Sequence, residues 1–337
     1  MANMKKLLRD ALNSRVKKAM PILSFPSVQL MGISVRELIS SSELQAKGMK
    51  LVADRVDSMA SLSMMDLSVE AEAFGSKVNF SDNEVPTVLA PIVTSEEEAD
   101  ALKVPEPTAG RTGIYIDAIK RASKEIADRP VVAGIIGPFS LAGRLLDVSE
   151  AMIYCYDEPD MVHKVLEKAT EFLIAYARKY REAGAAAVAM AEPLAGLLSP
   201  SLNAEFSVPY VKRIVEAVSD ENFAFIYHNC GDGVLSLIGD ILKIGADAYH
   251  FGNAIDIVDM LEKVPSDTIV MGNIDPAGQF CKGTVESISK ATLELLRRAD
   301  KYPNFIISSG CDIPPQSKWE NIDAFFKTVG DFYAAKA

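Results

Sequence analysis

Short apolar runs recur along the chain, each closed by a polar or glycine turn and followed by a stretch with helical spacing. The runs are "PILSF" (21–25), "ASLSMMDL" (60–67), "PVVAGIIG" (130–137), "AAAVAMA" (185–191), "FAFIYH" (223–228), "DAYHFG" (247–252), "TIVMGNI" (268–274) and "NFIISSG" (304–310). Runs of this length, bounded by turn residues, predict buried β-strands. Between them the period changes. Within 160–183, Val162, Val165, Leu166, Ala169, Phe172, Leu173 and Tyr176 follow one helical face, and Gly184 supplies a C-terminal stop. Residues 234–245 and 285–300 carry the same pattern, and the first twenty residues read as an amphipathic helix. Residues 75–110 break the rhythm with a polar stretch, which predicts a small β excursion after the second strand. Strands alternating with helices specify an α/β fold, here a single (β/α)8 TIM barrel over residues 1–337. A doubly wound open sheet is disfavoured, because no GxGxxG follows the first strand.

Composition narrows the function. The chain has 337 residues, 49% of them apolar and 24% charged, which suits one barrel and excludes a disordered chain. Its net charge of −11, without any Lys/Arg run, opposes a phosphate-rich partner, so no nucleic acid is expected. No stretch of eighteen apolar residues occurs; residues 183–198 come nearest and are interrupted by Glu192 and Pro193, so no membrane span is expected. The first residues lack the uninterrupted apolar core of a signal peptide, and a cytoplasmic location is expected. Four cysteines in a large chain of this kind do not make a disulfide framework; a special cysteine is a ligand or a nucleophile instead. Nothing in the pattern sets an oligomeric state.

In a TIM barrel the working residues sit at the C-terminal ends of the strands. Those ends carry Asp66, Glu192, His228 with Cys230, His250, "GNIDP" (272–276) and "SSGCDIPP" (308–315). Strand alternation places His228 and Cys230 on one side if the chain stays extended through Asn229. Cys311 lies far away in sequence but at the end of another strand that opens onto the same mouth. Two thiolates and one imidazole form a donor set that zinc favours, and three protein ligands leave a fourth position for substrate. The competing reading of the trio is two buried thiols and a satisfied histidine. Cys155 reads as a buried helix residue, Cys281 as a loop thiol and His163 as a surface side chain on a helix. For His250 a ligand role and a hydrogen bond within the barrel are both open, and Glu192 also reads as a charge holding the top of its strand. Asn273 and Asp275 read as turn-forming residues.

The stretches "MMDLSVEAEAFG" (64–75), "GIIGPFSLAGRLL" (134–146), "GNIDP" (272–276) and "SGCDIPP" (309–315) resemble the uroporphyrinogen decarboxylase superfamily, over essentially the whole chain. The resemblance to its decarboxylases is partial. Their arginine-rich segment after the first strand corresponds to "MPILSFPSVQLMG" (20–32), which contains no arginine, and their glycine-histidine-glycine turn is replaced by "GCD". A substrate with eight carboxylates needs cationic partners. Asp66 alone matches the acid that decarboxylases direct at pyrrole NH groups. The other branch is the corrinoid-linked methyltransferases, whose zinc motif is His-x-Cys with a distant Cys, matched here by His228, Cys230 and Cys311. That resemblance implies a Zn2+ enzyme taking a methyl group from methylcobalamin, or another methyl-corrinoid on a partner corrinoid protein, to a small thiol such as coenzyme M. Asp66, Glu192 and His250 would then serve as catalytic or supporting residues. Metal-free porphyrinogen decarboxylation and a non-catalytic corrinoid-protein-binding barrel are the alternatives.

Overall fold

The computed structural model describes residues 3–336. Seven parallel strands form one curled sheet in the order β1 (Ser61–Leu62), β4 (Val131–Ile136), β5 (Ala187–Ala191), β6 (Ala224–Asn229), β7 (Ala248–Phe251), β8 (Ile269–Ile274) and β9 (Phe305–Ser309). The expected excursion is present as an antiparallel pair, β2 (Val78–Asn79) with β3 (Thr87–Val88). The architecture is the α/β TIM barrel that the alternating pattern predicts.

One strand differs from expectation. The first apolar run, 21–25, forms no regular ladder. It is an extended segment that links the two edge strands through scattered bonds. The Met20 N–H donates to Ile307 O, the Met59 N–H donates to Ala19 O, and Ser24 Oγ donates to Ser63 O. Prolines at 21 and 26 bracket the run, and the missing Pro21 donor is one physical reason it cannot form a full ladder. The second run is likewise regular only at Ser61–Leu62.

The helices follow the apolar faces. Pro159–Glu182 buries Val162, Val165, Leu166, Ala169, Phe172, Leu173 and Tyr176, and Gly184 leaves it at φ +104°. Val234–Ile241 and Val285–Ala299 match the other two helical stretches. Among the described residues, no helix is long and apolar enough to cross a membrane.

Strand alternation sorts side chains into two cores. Ala187, Ala189 and Ala191 of β5, Ala224 and Ile226 of β6, Ala248 of β7, Ile269 and Met271 of β8 and Ile306 of β9 pack together inside the barrel. Met4, Leu8 and Ala11 of the N-terminal helix Met4–Asn13 join that cluster. Asn3, the cap of that helix, bonds to Glu221 and Asn222 just before β6, so the helix covers the N-terminal end of the barrel. Residues of opposite parity, such as Val188, Phe225, Tyr227, Tyr249, Phe251 and Ile307, pack outward against the helices. The inward series of β6 and β7 continues upward into His228 and His250, which are register partners on neighbouring strands.

Candidate metal centre at the barrel mouth

The donor atoms of His228, Cys230 and Cys311 all lie within 4.8 Å of one another. Histidine Nε2 stands 3.6 Å from Cys311 Sγ. Cys230 follows β6 directly, and its position depends on two close backbone approaches. A Cβ added at Gly252 would meet the Cys230 Cβ at 2.5 Å and its Cα at 2.6 Å. Gly231 and Gly196 touch backbone to backbone, with an added Cβ meeting the facing Cα at 2.7 Å. Only glycine permits that packing.

One hydrogen bond links the two thiols. The Cys230 thiol is lowered to about 7 because Cys311 donates a hydrogen bond to it, with burial opposing the shift. The same bond, reinforced by burial, pushes the Cys311 thiol up to about 12. A cation between the sulfurs would replace that hydrogen bond and favour both thiolates.

Below the trio, a hydrogen-bond chain decides the tautomer of His228. Ser308 Oγ lies 2.8 Å from the Met20 carbonyl, which only accepts, so the hydroxyl donates there. Its oxygen then accepts from His250 Nε2–H at 2.7 Å. Burial, and secondarily His228, holds His250 well below its ordinary pKa, so the ring is neutral and carries its single proton on Nε2. His250 Nδ1 therefore accepts from His228 Nδ1–H at 2.8 Å. The His228 Nε2 lone pair is left facing the sulfurs, the form a metal ligand requires.

The other expected site residues hold the surrounding framework. Asp66 is fully engaged: it accepts from Arg111, Tyr115 and Ser68. Arg111 also pairs with Glu72. Glu192 is buried, accepts from the backbone N–H of Phe139 and Ser140, and thereby caps the helix Pro138–Leu146. Asn273 donates to the carbonyls of Gly252 and Ile255, and Asp275 accepts from the N–H of Ala277 and Gly278, both turn-holding roles. Cys155 is buried, as expected, and Cys281 ends the turn Pro276–Cys281. His163 departs from its expected surface position. It is half-buried, stacked on Phe206 with its Nδ1 bonded to Tyr210 Oη at 2.7 Å.

With this geometry in place, comparison with known proteins identifies the lineage. A model described as Uroporphyrinogen decarboxylase (URO-D) matches residues 16–332. The chain belongs to the uroporphyrinogen decarboxylase family. Within that family it is 28% identical over 273 residues to a "Methylcobamide:CoM methyltransferase MtbA" of Methanosarcina acetivorans, covering 79% of this chain and 78% of the relative. It is equally 28% identical over 273 residues to a "Uroporphyrinogen decarboxylase" of Trichodesmium erythraeum, covering 78% and 75%. A solved "methyltransferase from Methanosarcina mazei" superimposes with a TM-score of 0.87 at 24% identity, covering 99% of this chain and 100% of that one. That superposition establishes the fold. The family's enzymes thus run two chemistries at similar distance from this chain.

Sequence reasoning passed over four residues of the URO-D mouth. Arg111 lies outside every quoted stretch, and Ser308 opens the quoted "SSGCDIPP" without being singled out; both are found only through their partners. Asp312 sits beside Cys311 in the quoted "GCD", with Oδ1 sealed from solvent and no hydrogen-bond partner among the described residues. Arg144 lies in the quoted "GPFSLAGRLL" and stands out only once its surroundings are known.

Two outcomes follow from this geometry. Burial pushes Glu70 up to about 8 and Glu192 up to about 7, against an ordinary 4.5. The native chain therefore retains protons that the unfolded chain has released, so this contribution to stability is complete below pH 4.5 and is lost as pH rises through about 7 and about 8. Thermal unfolding followed by circular dichroism should show a midpoint falling across that window, with a shallower fall in Glu70→Gln; an unchanged slope in the variant would remove Glu70 as a cause. Separately, Gly252→Ala should push Cys230 out of the trio. Chelator competition should then show weaker metal retention with the far-ultraviolet spectrum unchanged.

Proposed function

We propose that this chain is a zinc-dependent methyltransferase that moves a methyl group from a methyl-corrinoid, carried by a partner protein, to a small thiol. The observation that carries the reading is the convergence of one imidazole lone pair and two thiols at the barrel mouth. The donor set fits the ion. A tetrahedral zinc with Zn–N of about 2.05 Å and Zn–S of about 2.3 Å separates nitrogen from sulfur by about 3.6 Å, which is the spacing between His228 and Cys311. Three ligands leave one position free, as a catalytic rather than a structural site needs. Bound there, zinc would supply a Lewis-acidic centre at which a thiol loses its proton near neutral pH.

The chain's own residues supply the rest. His228 is held in the ligating tautomer by His250 and Ser308, and Cys230 is held in place by the Gly252 contact. The barrel interior beneath is closed by Ile226, Met271 and Ile306, which excludes water from one side. In the net reaction the cobalt–carbon bond breaks, a sulfur–carbon bond forms, the thiol proton passes to solvent, and cobalt keeps the bonding pair as Co(I). The similarity to a relative named as a methylcobamide:CoM methyltransferase supports this direction of transfer.

The decarboxylase reading is weaker on a specific ground. Asp66 is occupied by three protein donors, so it is not free to receive pyrrole NH groups, and Arg111 is already neutralised by Asp66 and Glu72. A substrate with eight carboxylates would find little uncommitted positive charge in this cluster.

Elemental analysis tests the reading. The purified chain should hold about one zinc, lost in Cys230→Ala and Cys311→Ser, and should demethylate methylcobalamin in the presence of a thiol. Wild-type protein without zinc that turns over uroporphyrinogen would overturn it. The hydrogen-bond chain gives an independent outcome. Ser308→Ala frees His250 to shift its proton, and zinc affinity measured against a chelator should fall about 10- to 100-fold, the usual cost of losing an outer partner of a histidine ligand. Ser308→Thr, which keeps the hydroxyl, should restore it.

A further inference from the structure

Three arginines in this chain are not exposed: Arg111, Arg129 and Arg144. Arg111 is bonded to Asp66, Glu72 and Ser68. Arg129 is bonded to Asp128 and to the carbonyls of Val56 and Ser58. Arg144 has no hydrogen-bond or ion-pair partner among the described residues. A half-buried guanidinium has lost much of its water, and burial alone holds its pKa below the ordinary value, with no nearby acid to offset it. That is unusual in a chain with 46 acidic residues against 35 basic ones.

The position of Arg144 is fixed by the fold. Its helix, Pro138–Leu146, follows β4 at the C-terminal end of the barrel. Glu192 caps the helix start, the Leu194 N–H donates to Ser140 Oγ, and an added Cβ at Gly143 would meet Leu194 at 2.4 Å. The helix is therefore locked to the end of β5. Arg144 lines a cavity of about 180 Å³ with Met65, Leu67, Ser68, Pro86 and Val88. The first three follow β1 on the mouth side, Met65 belongs to the barrel-interior core, and the last two come from the β2–β3 excursion. At about 30 Å³ per water molecule, the space matches a small organic acid of two or three carbons rather than a macrocycle. The walls are mostly apolar with one cation, the composition of a pocket that orients an amphiphilic anion.

We propose that Arg144 is the anion-recognition residue of the acceptor pocket, binding the acidic group of a small thiol that carries a sulfonate or carboxylate. The proposal rests on the methyltransferase reading for the identity of the ligand, whereas the anion site itself stands on the cavity and its unpaired guanidinium. A planar guanidinium donates two parallel N–H bonds to an oxyacid, and its desolvated position strengthens them.

Two measurements keep the proposal and the methyltransferase reading separable. Ligand-observed NMR with ethanesulfonate, which has no thiol, requires no turnover. Saturable binding to wild-type protein that Arg144→Gln abolishes and Arg144→Lys partly restores supports the site; absence of binding to the wild type, or equal binding to Arg144→Gln, overturns it whatever reaction the chain catalyses. With methylcobalamin as donor, kcat/KM is then compared for 2-mercaptoethanesulfonate and for neutral 2-mercaptoethanol. Loss of a charge-assisted bond should reduce the preference for the anionic thiol about 10- to 100-fold in Arg144→Gln. An unchanged preference, or an effect confined to the KM of methylcobalamin, overturns the assignment to the acceptor. Unchanged thermal unfolding in both variants guards against a folding artefact.

Discussion

The contact between Ser308 Oγ and the Met20 carbonyl joins barrel closure to chemistry. Met20 lies in the irregular segment that links the two edges of the sheet, and Ser308 faces inward from the last strand. Because a carbonyl only accepts, this single bond orders every proton above it, from the Ser308 hydroxyl through His250 to His228. The segment that completes the barrel thereby selects the form of the imidazole that can hold a metal ion.

The acidic groups at the mouth show how burial changes a residue's meaning. Asp66 and Glu192 look like candidate catalysts in sequence because they sit at strand ends. In the fold, one closes a cluster with Arg111 and Tyr115, and the other caps the helix that carries Arg144. Both hold elements in place around the mouth. Arg144, which lines a cavity, and Asp312 Oδ1, which is sealed from solvent, lack protein partners among the described residues and lie in stretches where sequence reading saw only a family motif.

Most of the barrel was legible from periodicity. Buried parallel strands are nearly continuous apolar runs, and six of the eight runs, from 130–137 onward, became regular strands within two residues of their predicted ends. The run at 21–25 read as a strand because its residues are apolar, but a ladder also requires N–H donors and a matching register, which hydropathy does not report. His163 was misplaced for a related reason. Its helical position suggested exposure, whereas the neighbouring helices bring Phe206 and Tyr210 over its ring.

The sequence alone determined the alternation of strands and helices, the parity that puts His228 and His250 on the inner face, and the types of atom available for metal chemistry. These are local properties, set by a period of two and by side-chain identity. Tertiary structure decided that Cys311 meets Cys230, that Ser308 and Met20 set a histidine tautomer, and that Arg144 alone among the non-exposed arginines lacks a partner. Each of those facts joins residues from different strands or loops. Their distances are set by the closure of the sheet, which no local pattern encodes.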